Sequence, residues 1–162
     1  MKTTRNFINI NKNFDPMSDS PTRQLVDCKT EDHKLLPARA HRTDAGADLK
    51  SMYTCDIEPQ DQILIDTGVA VKIPEGYAGF VFNRSSQGKL GISIPHSVGV
   101  IDSDYRGNIK VVLRNNNTEE AFHIEKYDRI AQLVIMPVLL VDFVDAWNDT
   151  ERGEGGFGST GK

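Results

Sequence analysis

From Leu25 onward, apolar residues recur at every second position in short runs that end in turn residues. Ile63, Ile65, Val69, Val71 and Ile73 show an interrupted alternation that stops at Pro74-Glu75-Gly76. Phe80 and Phe82 alternate with Gly79 and Val81. Ile109, Val111 and Leu113 alternate with Lys110, Val112 and Arg114 before the turn Asn115-Asn116-Asn117. Phe122 and Ile124 flank His123, and Ile130, Leu133, Val134 and Ile135 form a buried strand ended by Pro137. Residues 138–144 make a further apolar run. No stretch of ten or more residues keeps a helical period. A short helix over 86–92 is the one candidate, weakened by Gly88 and Gly91. Short strands at this spacing predict an all-β sandwich, barrel or jelly roll.

A chain of 162 residues fits one domain with a proper core. Residues 1–22, rich in Asn, Asp, Ser and Thr, are expected to be a weakly ordered extension. The alternative is that they dock on a neighbour through Phe7, Ile8, Ile10 and Phe14. The net charge of −4 argues against direct binding of a nucleic-acid polymer, which needs a basic stripe, but leaves room for a small phosphate ligand. No apolar run reaches membrane-spanning length. The start, Met1-Lys-Thr-Thr-Arg-Asn, has no apolar segment of the secretory kind. Cys28 and Cys55 have no metal spacing, so two free thiols in a reducing cytoplasm are expected.

The tail Arg152-Gly-Glu-Gly-Gly-Phe-Gly-Ser-Thr-Gly-Lys162 holds five glycines, an aromatic, two hydroxyls and two cations. Such a segment cannot hold one shape cheaply, yet it carries a ring to stack on a base and donors to meet phosphates. It reads as a mobile arm closing over a nucleoside triphosphate. Gly156 to Lys162 also matches the start of a P-loop. That motif needs a Ser/Thr after the lysine and a helix beyond it, and neither is expected here.

Other candidates are weak singly. Gly99-Val-Ile-Asp-Ser-Asp-Tyr-Arg-Gly107 reads as a β-hairpin with Asp102 at one shoulder and Tyr105 near the other, though taken alone an ordinary turn, where Asp and Gly are expected, is the stronger reading. Arg84-Ser85-Ser86 follows a strand and offers a cation, hydroxyls and loop amides to phosphate oxygens; a solvated loop start is the plain alternative. Asp44, Gly46 and Asp48 lie at a loop and strand entry. Arg129 and Gln132 put polar groups into an apolar strand.

Together and in order, five segments resemble the motifs of trimeric dUTPases, the deoxyuridine triphosphate nucleotidohydrolases. They are Ala45-Gly-Ala-Asp-Leu49, Arg84-Ser-Ser86, Gly99 to Gly107, Arg129-Ile-Ala-Gln-Leu133 and Arg152 to Gly161. The resemblance covers residues 25 to 162. It implies a jelly-roll subunit over 23–150, a closing arm over 151–162, and a homotrimer whose three active sites each draw on all three chains. The twelve residues after Thr150 can reach about 40 Å when extended.

By the same resemblance, Asp102 would orient and deprotonate the water that attacks the α-phosphorus of dUTP, releasing pyrophosphate and leaving dUMP. This activity limits uracil in DNA and supplies dUMP for thymidylate synthesis. A carboxylate is a weak base, so orientation would matter as much as basicity. Mg²⁺ would ride on the phosphates and waters with no direct protein ligand. Arg84, Ser85, Ser86, Gln132, Arg152, Gly158, Ser159 and Thr160 would bind phosphates. Phe157 would stack on uracil. Val98, Gly99, Val100, Ile101, Asp102, Tyr105 and Lys110 would hold the base and sugar. Asp48 and Arg129 would form a buried structural pair.

The chain departs from the family pattern at Ala47, at Ser86 (usually Gly), at Gln87 (usually apolar) and at His96, where some members place an Asn against uracil. Two alternatives stand beside hydrolysis: dCTP deamination on the same fold, and a regulatory module whose arm closure engages a protein partner.

Overall fold

The computed structural model describes residues 24–151 and 153–155. The expected extension over 1–22 lies outside them, as do Arg152, Phe157, Gly158, Ser159 and Thr160 of the arm. In chain order the strands are β1 (Cys28–Lys29), β2 (Ala47–Lys50), β3 (Cys55–Ile57), β4 (Gln62–Asp66), β5 (Ala70–Val71), β6 (Tyr77–Phe82), β7 (Ile92–Ser93), β8 (Gly99–Ile101), β9 (Lys110–Asn115), β10 (Phe122–Ile124) and β11 (Arg129–Pro137). One α-helix, α1 (Ser85–Lys89), and one 3₁₀ turn (His33–Leu35) complete the described elements. No described helix is long and apolar enough to cross a membrane.

Every strand pair is antiparallel. A four-stranded sheet runs β2-β11-β6-β8 and a three-stranded one runs β4-β9-β7, with the pairs β1-β5 and β10-β3 beside them. This all-β arrangement is a jelly roll. Alternation along the strands places one side of each sheet inward. Leu49, Val81, Ile130 and Leu133 from the first sheet meet Ile65, Ile92, Val111 and Leu113 from the second, and Ile57, Val71 and Ile124 close the same core. Each such side chain contributes about 1.5–3 kcal/mol of gross burial free energy. Buried Asn115 ends β9 fully bonded: its amide donates to the carbonyls of Ile57 and Glu120, and its Oδ1 accepts from Asn117.

Two patterns resolve differently from a simple reading. The alternation over 63–73 is two strands, β4 and β5, separated at Thr67-Gly68, where the buried Thr67 hydroxyl donates 2.7 Å to the carbonyl of Ile109. The apolar run after Pro137 forms no strand, and Phe143 and Trp147 are 95% and 90% exposed. On β6 the smaller Gly79 and Val81 face the core, while Phe80 and Phe82 stack on the outer face at 6.4 Å between ring centroids. Val134 and Val100 flank Phe80 in register, so the outer face carries an apolar row. The cysteines are free; burial, with a neighbouring carboxylate, pushes both thiols up.

Candidate active site

Two groups of candidate residues lie at opposite ends of β6. At its C-terminal end the chain passes through Asn83 to Arg84, which caps α1. Asp48 on β2 stands beside Gln132 on β11. Each oxygen of the Asp48 carboxylate takes one guanidinium: Arg84 Nε donates to Oδ1 at 2.9 Å and Arg129 Nη1 to Oδ2 at 3.3 Å. Arg84 Nη1 also donates 3.1 Å to the carbonyl of Arg129. That carbonyl sits at a register shift between Arg129 and Ala131, where a β-bulge disturbs the ladder to β2. The Gln132 amide donates 3.1 Å to the carbonyl of Asn83, whose own amide holds the carbonyl of Ile92 at 2.8 Å. A Cβ on Gly46 would lie 2.7 Å from Gln132 Oε1, so the glycine makes room for that side chain.

The motifs holding Asp48, Arg84 and Arg129-Gln132 therefore converge on one cluster. Two refinements follow. Arg84, assigned to phosphates from the sequence, has two nitrogens committed inside the fold and acts as the main partner of Asp48. The Asp48–Arg129 contact is also less enclosed than expected, because the Arg129 side chain is 51% exposed. Ser85 and Ser86 are exposed at the start of α1, beside this cluster. The helix begins at Ser85 and ends at Lys89, so the expected span of 86–92 shifts toward the chain start. Asn83 was not legible as a site residue, because its contribution is a backbone carbonyl.

The other end of β6 carries Asp102. Gly99, Val100 and Ile101 form β8, which pairs with β6 in the register Gly79↔Ile101 to Val81↔Gly99. Lys110 opens β9, which pairs with β4 opposite Asp66. The expected hairpin is thus not a strand pair: β8 and β9 belong to different sheets, and residues 102–109 bridge them. A period of two shows which face a residue occupies but not which strand it pairs with. The bridge braces itself. Tyr105 donates its amide to the Asp102 carbonyl at 3.2 Å and its hydroxyl to the Asn108 carbonyl at 2.9 Å. Arg106 Nη1 donates to the carbonyls of Ser103 and Tyr105. A Cβ on Gly107 would lie 2.5 Å from the Tyr105 hydroxyl, so only glycine lets that ring lie where it does. Val98 donates its amide to the carbonyl of His96 at 2.8 Å. Among the described residues, the outer edge of β8 has no strand partner, and Lys110–Leu113 of β9 have one on one side only. Asp102 is exposed.

Asp102 falls one residue beyond Ile101, level with Ala78, while Arg84 lies six residues farther along. At about 3.3 Å per residue, roughly 20 Å separates them along the strand direction. One chain does not bring Asp102 to Ser85. Among the described residues, no group of three or more His, Cys, Asp or Glu could hold a metal. The donors beside the Asp48 cluster are hydroxyls, amides and guanidinium groups, which suit phosphate oxygens and so fit a magnesium ion carried by a triphosphate.

The chain is similar to known proteins in both sequence and fold. The family profile described as dUTPase matches residues 32–161. The deoxyuridine 5'-triphosphate nucleotidohydrolase of Corynebacterium diphtheriae is 49% identical over 148 residues, covering 89% of this chain and 97% of its own. That of Tropheryma whipplei is 48% identical over 129 residues, covering 78% of this chain and 88% of its own. Among solved structures, the dUTPase of Staphylococcus bacteriophage 80alpha with dUPNHPP matches at a TM-score of 0.75 and 33% identity, covering 86% of this chain and 100% of the other. A mutant dUTPase of the S. aureus phage phi11, which coordinates a structural Mg(II) ion, matches at 0.71 and 29% identity, covering 77% of this chain and 98% of the other. The chain belongs to the dUTPase family.

Proposed function

We propose that this protein hydrolyses dUTP to dUMP and pyrophosphate as a homotrimer, with Asp102 of one copy facing Ser85, Ser86 and Gln132 of another. The observation that carries this reading is the separation within one chain: the phosphate-type cluster and the carboxylate sit at opposite ends of β6. Two copies can bring them together where one cannot. The apolar outer row of Phe80, Val100 and Val134, and the exposed Phe143 and Trp147, are surfaces of the kind that subunits cover.

Asp102 accepts a proton from water and aims it at the α-phosphorus, opposite the departing pyrophosphate. Ser85 donates to the oxygen bridging the α- and β-phosphorus, where charge grows as the bond breaks. Gln132 and Ser86 hold the phosphates in line. Arg84 keeps the turn in place through Asp48 and the Arg129 carbonyl. Magnesium, when carried in on the phosphates, would help neutralise the growing negative charge. Arg152, Phe157, Gly158, Ser159 and Thr160 are assigned from the sequence to seal the pocket, with Phe157 on the uracil ring.

The open backbone edges at Gly99 and Lys110 suit a pyrimidine edge, beside Val98, whose amide is held by the carbonyl of His96. Uracil's O4, N3–H and O2 would pair there, while cytosine would leave buried groups unpaired at about 1–3 kcal/mol each. Val100 and Ile101 form the strand that excludes a methyl at C5, and Tyr105, held by Asn108, lies under the sugar. A pyrophosphate-release assay over dUTP, dTTP, dCTP and UTP with Mg²⁺ tests the reading. Turnover of dUTP alone is expected, with a large loss and an intact trimer on deletion of residues 152–162. Ammonia release from dCTP would overturn it in favour of deamination.

The likeness to the phage 80alpha enzyme, one of the phage dUTPases that control transfer of virulence genes, favours a second role beside catalysis. In that reading, arm closure on the nucleotide also gates a protein partner. Partner capture that changes with a non-hydrolysable dUTP analogue would support it, and capture insensitive to the analogue would refute it.

A further inference from the structure

We propose that Gln87 is a positioning residue: its side chain hangs the Ser85–Ser86 turn from β11 through the carbonyl of Arg129. The inference rests on the phosphate role proposed above for Ser85.

Gln87 is the one buried residue of α1, 6% exposed, while Ser85, Ser86, Gly88 and Lys89 are exposed. Five residues form little more than one turn, and so short a helix has almost no stability of its own. Contacts with the rest of the fold must hold it. Packing does so only in part, because an open cleft of about 230 Å³ runs beside the helix, with Ser86, Gln87 and Leu90 on one side and Phe122, Asp128 and Ile130 among its other lining residues. Hydrogen bonds supply the remainder. The Gln87 amide donates to the carbonyl of Arg129 at a long 3.4 Å, sharing this acceptor with Arg84 at 3.1 Å. The two donors come from either side of Ser85 and Ser86 in the chain. They meet on the carbonyl of Arg129, which pairs with Lys50 next to the register shift at Ile130, three residues before Gln132. The turn is thereby tied to the strand that carries Gln132.

The other end of the same amide argues against simple filling. Among the described residues nothing donates a hydrogen bond to the buried Gln87 Oε1. An unpaired buried acceptor is a net cost, and a leucine or methionine of similar size would remove it. A residue that only packed there would be better apolar. In this chain the amide nitrogen makes a bond to the Arg129 carbonyl that the apolar residue usual at this position in the family cannot make.

The test compares Gln87→Leu, Gln87→Glu and Ser85→Ala in the full-length protein. For Gln87→Leu, kcat for dUTP should fall about ten- to hundredfold from misplacement of the turn. KM should move less than about threefold, and Tm should stay level or rise because the unpaired acceptor is gone. For Gln87→Glu, the introduced carboxyl can donate to the Arg129 carbonyl only when protonated. Its kcat relative to wild type should therefore climb as pH falls from 8 toward about 5. The inference is overturned if both Gln87 variants keep wild-type kcat at every pH, or if kcat of Gln87→Leu falls only in step with a lowered Tm. Ser85→Ala reads the phosphate role separately. An undiminished kcat there removes that role, while the Gln87 results still decide whether the tether matters to turnover.

Discussion

The two ends of β6 solve opposite problems. At one end a single carboxylate, Asp48, collects two guanidinium groups, a bulged carbonyl collects two more donors, and Gln132 is bonded to the chain beside it. At the other end, Asp102 stands exposed beside strand edges that lack partners among the described residues. The first end is complete within one chain. On the proposed reading, the second is completed by another copy, and the difference then teaches that the unit of function is larger than the unit of folding.

The largest expected effect comes from keeping the open end open. Phe143→Asp combined with Trp147→Asp places charge on the exposed segment. Sedimentation should show loss of the trimer, and dUTP turnover should fall by about a thousandfold or more, since no complete site remains. Retained activity in a monomer would erase the contrast between the ends.

Next in size is a break in the closed end. Asp48→Asn leaves Arg84 and Arg129 without their shared charge. The Asp48 side chain is only 18% exposed, so a loss of about 2 kcal/mol is expected, below the range for fully enclosed pairs because Arg129 is half exposed. Denaturant titration at fixed protein concentration measures it. A loss confined to turnover would mean that the cluster serves substrate alone.

The smallest effect lies away from both ends. His123 on β10 faces Asp56 on β3 with 2.6 Å between Nδ1 and Oδ1. That hydrogen bond, helped by the charges of Asp56, Glu125 and Asp128, raises the imidazole above its ordinary value near 6.5 despite some desolvation. A raised folded-state value means the pair stabilises most below about pH 6.5, and the contribution fades as pH rises through the folded-state value. NMR titration should place His123 above the ordinary value, and Asp56→Asn should return it. An unchanged titration in that variant would show that the contact does not form in solution.

Much of the fold was legible. Period-2 alternation around Val111, Leu113 and Ile124 marks the inward faces correctly, because burial on one face is a local pattern. Pairing is not local. Nothing near Asp102 says that β8 joins β6 while β9 joins β4, and the hairpin reading failed for that reason. The run over 138–144 reads only as a further apolar run, and it finds no strand partner among the described residues. Arg84 between a strand and two serines reads as a phosphate grip. Its bond to Asp48, 36 residues away, depends on how β2 and β6 flank β11. Gln87 stands out in sequence only as a polar residue in an apolar place, and the carbonyl it reaches is invisible there.

Mixing two defective chains tests the central claim most directly. Asp102→Asn and Ser85→Ala, each inactive alone as a trimer, are co-expressed at equal levels. If every site takes its carboxylate from one chain and its serine from another, each mixed trimer holds one whole site in three, so about a quarter of all sites in the co-expressed pool are whole and dUTP turnover returns to about that fraction of wild type. No recovery in proven mixed trimers would mean that both groups come from the same chain, contradicting the account.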